Sequence, residues 1–492
     1  MRWSSGYRDG DVEYGTELYP FRFRRLPGGA IVAVSESGDH TFTGDDELHR
    51  LINGPRSIDL ERLAELQSKF FVGSRNANGT LRLLASRIAA KRETVLNGPS
   101  LHVFVPTLQC DHSCRYCQVS RVLESDGHTI SHTDLAMACD SVFESPSQNI
   151  TIEFQGGEPL LRFDLVRFAI ERIAARNRIE KRHLRFVVAS TLHQLDERMC
   201  EFFREHGVYL STSIDGPAWL HNKNRPRPSR DAYERTIAGI KMARELVSLE
   251  SVSALMTTTR DSLEHPEAIV DAYVTLGFRD IFLRPLSAYG FARRNASQVG
   301  YSSQQFAALY ERALEHILKL NRQGIDFKEV SASISLNKIL SPFDGGFVDL
   351  QSPTGAGLGA LVYNYDGFVY PSDESRMLAE MGDTSLRLGR IGTPLSDLMN
   401  SATERELIRA SLVRYVPGCD QCAYQSYCGP DPVNARGQLG DVFAPVHLTS
   451  HCKRSLWLFD LLFEKLEAAD AWFLDLAYRW ASPATGQDVR HA

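Results

Sequence analysis

The sequence has no long apolar run and no large excess of either charge. Of its 492 residues, 55 are Lys or Arg and 61 are Asp or Glu, so the net charge is −6. No stretch approaches the roughly 20 apolar residues needed to span a bilayer. No basic stripe is present that could neutralise the phosphates of a nucleic acid. We therefore expect neither a membrane nor a nucleic acid as a partner.

The first residues, MRWSSGYRDGDVEYG, lack the apolar core of a secretory signal. We therefore expect a cytoplasmic protein, in which thiols stay reduced and clustered cysteines bind metal more often than one another. The hydrophobic fraction of 43% is that of an ordinary soluble chain. The length corresponds to about three domains.

Cysteine is scarce, and its distribution is uneven. Cys139 and Cys200 stand alone in helical, partly apolar surroundings, which is typical of buried core thiols. The other seven form a group of three and a group of four: Cys110, Cys114 and Cys117, then Cys419, Cys422, Cys428 and Cys452.

The chain divides into three predicted domains and a tail. In residues 1–95, FRFRRL and AIVAVS alternate like two strands around the turn PGG, and two short helices follow, which predicts a small α+β unit. Residues 331–480 form the third domain, in which 341–405 look irregular and 453–480 read as one apolar helical end that packs against the rest. Residues 481–492 are predicted to be a disordered tail.

Between these parts, residues 96–330 alternate strand, loop and helix. Six such units with largely apolar strands predict a parallel sheet covered by helices, and six are too few for a closed eight-stranded barrel. The fold class is therefore α/β, with a partial (β/α)6 barrel. The predicted strands are 101–107, 149–157, 184–190, 208–216, 252–259 and 280–286.

The first cysteine group lies on the loop that leaves the first barrel strand. Its spacing, CxxxCxxC in LQCDHSCRYCQVS, differs from the paired CxxC of four-ligand zinc sites, although zinc stays open as an alternative. Three thiolates can hold three corners of a [4Fe–4S] cluster and leave the fourth iron without a protein ligand. An open iron can bind a substrate or a cofactor.

With Tyr116 before the last cysteine, this loop resembles the signature of radical S-adenosylmethionine (SAM) enzymes. QGGEP (155–159) resembles the family's GGE motif, which implies that Gly156, Gly157 and Glu158 line the site of the SAM methionyl group. SIDGP (213–217) resembles its SxDG motif, which implies that Ser213 and Arg225 contact SAM. The resemblance covers about residues 101–330.

The second group, CDQCAYQSYC followed by Cys452, resembles the SPASM extension of radical SAM peptide maturases. That resemblance implies one auxiliary [4Fe–4S] cluster held by Cys419, Cys422, Cys428 and Cys452. Four thiols suit zinc equally well, so zinc stays open here too.

The family's other auxiliary cluster takes cysteines at positions that read Thr354, Ser372 and Pro432 here, in TGAG, DGFVYPS and CGPDP. We therefore expect two clusters in total. Asp373 follows Ser372, and in sulfatase-maturing relatives the Asp at this position accepts a proton from the substrate. Asp373 is thus a candidate base, and a solvated loop carboxylate is the alternative.

The motifs together, including YNYDGFVYPSDESRMLAEMGD, resemble a radical SAM maturase of the His-Xaa-Ser peptide-modification system. The resemblance implies that residues 1–95 form a winged peptide-recognition domain, or else a capping or dimerisation domain. It implies reductive cleavage of SAM, modification of a ribosomally made precursor peptide, and an electron donor such as flavodoxin or ferredoxin. Two alternatives stay open: maturation of a folded protein's active-site residue, and a non-catalytic zinc scaffold that binds peptides.

Overall fold

The structure is a computed structural model that describes residues 16–74, 78–123 and 126–482. The start of the predicted first domain and nearly all of the predicted tail lie outside these residues. Within them, no helix combines the length and the apolar character needed to cross a bilayer.

The N-terminal unit is built on a three-stranded antiparallel sheet of order β2-β3-β4, which confirms the two strands predicted around PGG. A second pair, β1 with β5, and a small core that includes Leu51, Leu66 and Phe71 complete it. Its strands are β1 Thr16–Leu18, β2 Phe21–Arg25, β3 Ile31–Ser35, β4 His40–Thr43 and β5 Val72–Ser74. Its helices are α1 Asp45–Asn53, α2 Leu60–Ser68, α3 Asn78–Ala90 and α4 Glu93–Leu96.

The central part is a parallel sheet of order β12-β10-β9-β8-β7-β6, as the strand–helix rhythm predicts. Its apolar strands are covered by helices, so the core lies between the two layers. The strands are β6 Leu101–Thr107, β7 Asn149–Gly156, β8 His183–Ala189, β9 Tyr209–Ser213, β10 Val252–Thr257, β11 Asp280–Ile281, β12 Leu283–Arg284 and β13 Lys328–Glu329.

The helices of this part follow the strands along the chain. They are α5 His132–Ser141, α6 Phe163–Glu180, α7 Glu197–His206, α8 Ala218–Asn224, α9 Ala232–Leu246, α10 Pro266–Thr275, α11 Gly290–Arg294, α12 Ala296–Val299, α13 Ser303–Arg322 and α14 Val330–Leu340. The predicted sixth strand, 280–286, is split. The chain changes partner at Phe282, because β11 pairs with β13 whereas β12 pairs with β10.

Of residues 341–405, predicted to be irregular, 341–359 contain only a short 3-10 helix, but the prediction was wrong from residue 360 on. Strand β14 pairs in parallel with β6 and extends the main sheet, and two antiparallel strands bring it to nine. Elements this short, separated by turns that contain Gly and Asp, do not show the periodic spacing of apolar residues from which helices and strands are predicted. They are β14 Ala360–Tyr363, β15 Phe368–Tyr370, α15 Asp373–Glu380, β16 Gly389–Arg390, α16 Leu395–Met399 and α17 Ala402–Ser411.

The C-terminal part contains α18 Pro432–Leu439, α19 Ser450–Glu467 and α20 Ala471–Ala481. The predicted single helical end is therefore two helices. The second begins because the Asp470 side chain caps it, accepting a hydrogen bond from the Phe473 amide at 2.7 Å. Both helices bury apolar side chains such as Phe463 and Leu476 in the main core, as the prediction of a packing role requires.

Candidate active site

Cys110, Cys114 and Cys117 lie on the loop that follows β6, at the carboxyl edge of the parallel sheet. The Cys110 amide donates to the Val122 carbonyl at 3.0 Å, and the Cys117 amide donates to the Cys114 carbonyl at 3.3 Å. These bonds fold the loop back on itself, so the sequence brings three thiols to one place by purely local means.

Burial raises the pKa of all three thiols, that of Cys114 to about 12. Neighbouring thiols raise the pKa of Cys110 and Cys114 further, because thiolates close together repel one another. Metal ligation would stabilise the thiolate forms, since ligands bind as thiolates.

A network that the sequence did not indicate holds this loop from outside. The Asp111 carboxylate accepts hydrogen bonds from Arg227 at 2.6 Å and Gln194 at 3.0 Å, and it bonds the His112 ring at 2.9 Å. Against the effect of burial, His112 and Arg227 hold the pKa of Asp111 well below its usual range. The His112 ring packs on the His193 ring with centroids 4.5 Å apart. Cys110, Asp111 and His112 place ligand atoms within 4.8 Å of one another, but the last two bond each other.

Tyr116 and Arg225 meet at Asp215, a residue that sequence reasoning passed over inside SIDGP. The Tyr116 hydroxyl donates to both Asp215 carboxylate oxygens, at 2.9 and 2.8 Å, and Arg225 forms an ion pair with one of them at 3.1 Å. The Arg225 guanidinium also lies over the Tyr116 ring, 5.2 Å from its centroid. Ser213 is the last residue of β9, two places before Asp215. The structure thus joins the CxxxCxxC loop to the end of β9.

The two glycines of QGGEP are required by a close backbone contact. A Cβ on Gly156, whose φ is +131°, would lie 2.3 Å from the Thr107 carbonyl oxygen, and one on Gly157 would lie 2.2 Å from that of Gln109. The contact lies between the end of β7 and the loop after β6. Both glycines therefore allow two chain segments to meet, and their approach to SAM stays a prediction.

Glu158 is fully buried, and its carboxylate is hydrogen-bonded to other groups of the protein. It accepts hydrogen bonds from the Ser190 hydroxyl at 2.7 Å, from the Thr191 amide and hydroxyl at 2.8 Å, and from the Leu160 amide at 3.1 Å. It therefore ties the end of β7 to the loop after β8.

A cavity of about 410 Å³ lies beside the sheet, lined by the barrel and the C-terminal part together. None of the six predicted cofactor-binding residues lines it. Gln118 of the cysteine loop does, as do Gln155, Ser211 and Arg284 from strands or strand ends. Burial raises the pKa of Glu153 in its wall to about 7.

Asp373, the predicted candidate base, lines the same cavity. It follows Ser372, whose hydroxyl caps α15 by accepting from the Ser375 amide at 3.2 Å. Arg376 on that helix is fully buried and donates to the Asp373 carboxylate at 2.6 Å. Within the described part of the chain, its two terminal nitrogens have no partner. Burial raises the pKa of the Cys117 thiol, and the positive charge of Arg376 partly opposes that rise. The helix that carries Arg376 therefore lies near the first cysteine group.

The second cysteine group is assembled from two segments. Cys419, Cys422 and Cys428 lie on the irregular stretch before α18, and Cys452 lies in the first turn of α19. Burial raises the pKa of Cys419 to about 12, and Cys452 and Cys422 raise it further, so the segments adjoin. All four are free thiols, and no three of their sulfurs gather within 4.8 Å among the residues described.

The sheet of the N-terminal unit covers this group. Arg24 on β2 forms a two-point ion pair with Asp460 on α19 at 2.6 and 2.7 Å, and Arg22 donates to the Asp420 carbonyl at 2.7 Å. Tyr427, between two of the cysteines, donates to the Gly38 carbonyl at 2.9 Å. The first and last parts of the chain therefore pack as one body around the four thiols.

The residues that stand where the resembled family has further cysteines have local roles. Pro432 is the first residue of α18, which Asp431 caps. Buried Thr354 accepts from the Ala356 amide at 3.3 Å through its hydroxyl.

Residues 104–272 match the Radical SAM superfamily, and the chain contains a radical SAM domain. The chain is similar to the serine-type anaerobic sulfatase-maturating enzyme of Klebsiella aerogenes, with 24% identity over 201 residues that cover 39% of this chain and 47% of the relative. An uncharacterized protein of Synechocystis is 29% identical over 183 residues, 35% of this chain and 44% of that protein. The matched stretch thus spans less than half of either relative.

The fold is shared with two solved structures. Native anSMEcpe with bound AdoMet superposes with a TM-score of 0.62 at 16% identity, over 77% of this chain and 99% of that one. Streptococcus suis SuiB bound to precursor peptide SuiA superposes with a TM-score of 0.54 at 14% identity, over 88% of this chain and 98% of that one. The chain thus contains a radical SAM domain over residues 104–272 and shares the fold of these two proteins.

Proposed function

We propose that the chain reductively cleaves SAM and modifies a residue of a ribosomally made precursor peptide. The observation that carries this proposal is the set of three thiols on one loop, of which Cys110 is buried and the other two are half-buried, next to a cavity that the same loop lines through Gln118. A site built for a structural metal alone needs no such cavity.

Cys110, Cys114 and Cys117 would hold the [4Fe–4S] cluster of the SAM site. The raised pKa values of the three thiols fit a cationic occupant. Two nitrogens of buried Arg376, near Cys117, find no partner among the described residues, which fits an acceptor bound at the same place. When bound, the cluster supplies an electron that splits SAM into methionine and a 5′-deoxyadenosyl radical, which abstracts a hydrogen atom from the substrate.

The protein's own task is to position SAM and the target residue and to exclude water. We assign the contacts with SAM to Tyr116, Gly156, Gly157, Ser213 and Arg225. Glu158 would act indirectly, through the loop that it holds after β8.

Asp373 would act as a base that takes a proton from the substrate side chain, while the electron that the substrate radical must also lose would pass to the auxiliary cluster proposed below. The place of Asp373 on the cavity wall supports this role, and its hydrogen bond to Arg376 keeps the carboxylate in one orientation.

Cys419, Cys422, Cys428 and Cys452 would hold one auxiliary [4Fe–4S] cluster. The ligands of one tetrahedral zinc ion, with bonds of about 2.3 Å, lie about 3.8 Å apart. In every set of three of these sulfurs, at least one pair is more than 4.8 Å apart, which favours a cofactor larger than a single zinc ion. With Thr354, Ser372 and Pro432 in place of further ligands, the protein would carry two clusters, reduced by a flavodoxin or a ferredoxin.

The N-terminal unit would bind the leader of the precursor peptide. Strand β2 pairs on one side with β3, its Phe23 side chain is 49% exposed, and an open strand edge can accept an extended peptide. The solved relative SuiB, bound to a precursor peptide, supports this class of substrate.

A second candidate function is maturation of a folded protein's active-site residue. The similarity to the sulfatase-maturating enzyme favours it. The chemistry at the first cysteine group would be the same, and the substrate would differ.

Anaerobic reconstitution with iron and sulfide tests the proposal. We expect about eight irons per chain, since each cluster holds four, and 5′-deoxyadenosine from SAM after reduction. Co-production with candidate precursor peptides should give a mass shift in the peptide, and a shift only in a folded protein would favour the second candidate. Stoichiometric zinc without iron in anaerobically purified protein would rule out both.

A further inference from the structure

One part of the cavity wall is acidic and is not used by the proposed chemistry. Asp349, Glu374 and Asp431, here called the acidic trio, line it from three separate segments. They lie in the short helix 348–350, in the first turn of α15 and at the N-cap of α18. Each lies in the electrostatic field of the others.

Basic side chains lie near the trio but are not paired with it. Arg284, Arg454 and His451 also line the cavity, and within the described ranges neither Asp349 nor Glu374 forms an ion pair. Burial and the neighbouring carboxylates raise the pKa of Glu374 to about 8 and also raise that of Asp349. Ionising these carboxyl groups together therefore has a cost that a positive ligand would relieve.

An independent observation comes from Tyr289, which lines the same cavity and is 5% exposed. Its hydroxyl faces the Asn434 side chain, but among the residues that the structure describes neither this hydroxyl nor Asn434 Oδ1 makes a hydrogen bond of normal geometry. Buried polar groups are nearly always paired, so a polar partner is missing at this place.

The geometry indicates what kind of cation fits. No three oxygens of the trio gather within 4.8 Å in the described structure, so they are too far apart to surround one metal ion. An ammonium has three N–H donors and a guanidinium five, and such a group can bridge acceptors that are several ångströms apart.

We propose that the acidic trio and Tyr289 bind the positively charged side chain of a lysine or arginine in the peptide substrate. This inference rests on the proposed function and deepens it by naming a required substrate residue. Because Glu374 directly follows Asp373, a side chain held by the trio would bring a neighbouring substrate residue close to the candidate base.

The test measures binding of blocked tripeptides to the reconstituted protein with SAM, by equilibrium dialysis of labelled Ac-Gly-Lys-Gly-NH2, Ac-Gly-Arg-Gly-NH2 and Ac-Gly-Gln-Gly-NH2. We expect the Lys and Arg peptides to bind at least about tenfold more tightly than the Gln peptide, as for hydrogen bonds between charged groups. Asp349→Asn/Glu374→Gln should reduce this preference to less than about twofold. The matched control Glu201→Gln/Glu205→Gln, which removes two exposed carboxylates of α7, should keep it.

Tyr289→Phe offers a milder variant if the double substitution prevents folding, and it should weaken Lys binding about threefold. Equal binding of the Lys and Gln peptides to the parent protein would overturn the proposal. The proposal would also be overturned if the parent protein bound stoichiometric Mn²⁺, the double variant did not, and neither preferred the Lys peptide. The site would then be a metal site. Iron content and SAM cleavage in the same samples test the proposed function separately.

Discussion

The two cysteine groups differ in how they are assembled. The first is local, with three thiols within eight residues, and its loop lines the cavity. The second joins two segments, has four thiols, and is covered by the N-terminal sheet through Arg22 and Arg24. A group with one ligand too few, beside a cavity, suits chemistry, whereas a complete and covered group suits structure or electron transfer.

The two cysteine groups also differ in which parts of the protein hold them in place. The first is held by side chains from the barrel, such as Arg227 and Asp215, so its geometry depends on the strand ends. The second lies between the two ends of the chain, so its loss should affect the packing of both. Four predictions test this comparison.

Loss of a ligand from the first group should have the largest effect. Cys110→Ala, Cys114→Ala and Cys117→Ala should each lower 5′-deoxyadenosine formation at least about 100-fold, because three ligands leave no spare. The control Cys200→Ala removes a buried thiol outside both groups and should keep the activity. Cleavage of SAM by any of the three variants at more than a few per cent of the parental rate would contradict the assignment.

Loss of the second group should change stability more than SAM cleavage. Cys419→Ala/Cys422→Ala should remove about four irons per chain, and it should loosen the region from 341 to 452, since ligation and folding are coupled. SAM cleavage without substrate should persist. Iron analysis and hydrogen exchange measure both effects, and about twelve irons in the parent would show ligands beyond these seven cysteines.

A third region, around TGAG, has no cysteine group, and Glu404 lies against its Gly357. Both Glu404 oxygens lack partners in the described chain, and burial raises the pKa of this residue to about 8. Since this folded value lies above that of the unfolded chain, stability should fall as the pH rises from about 4.5 to 8.

Glu404→Gln should remove that dependence and stabilise the protein at pH 8 by roughly 4 kcal/mol. The measurement is denaturant unfolding at several pH values. Glu406→Gln, an exposed position on the same helix, is the control and should leave the pH slope as it is. An unchanged slope in Glu404→Gln would mean that the buried carboxylate has a partner.

The smallest of the four effects is expected at Asp373. Asp373→Asn should lower peptide modification by about 100-fold, the lower end of the range for the loss of a general base. SAM cleavage should continue, so more 5′-deoxyadenosine should form per modified peptide, as measured by mass spectrometry. Asp397→Asn, at an exposed position, is the control. Peptide modification at the parental rate in Asp373→Asn would leave Asp373 as a structural partner of Arg376.

The candidate ligands could be found in the sequence because their spacing is local. Cys110, Cys114 and Cys117 need one loop, and QGGEP and SIDGP mark the ends of strands whose apolar runs are readable. The same reasoning from local sequence missed the short strands from residue 360 on. Strand β14 there pairs with β6, which lies more than 250 residues earlier in the chain. Strand pairing of that kind has no signature within a single short segment.

The sequence by itself determined the radical SAM barrel, the two cysteine groups and the strand ends on which the proposed site depends. Ligand spacing, apolar strands and glycine are local properties of a chain. Only the tertiary structure decided that Asp111 is held by Arg227, 116 residues away, and that Asp215 joins Tyr116 to Arg225. It also decided that Asp349, Glu374 and Asp431 share one cavity wall. Such contacts arise when distant segments pack together, and a charge shows its partner only after that packing is known.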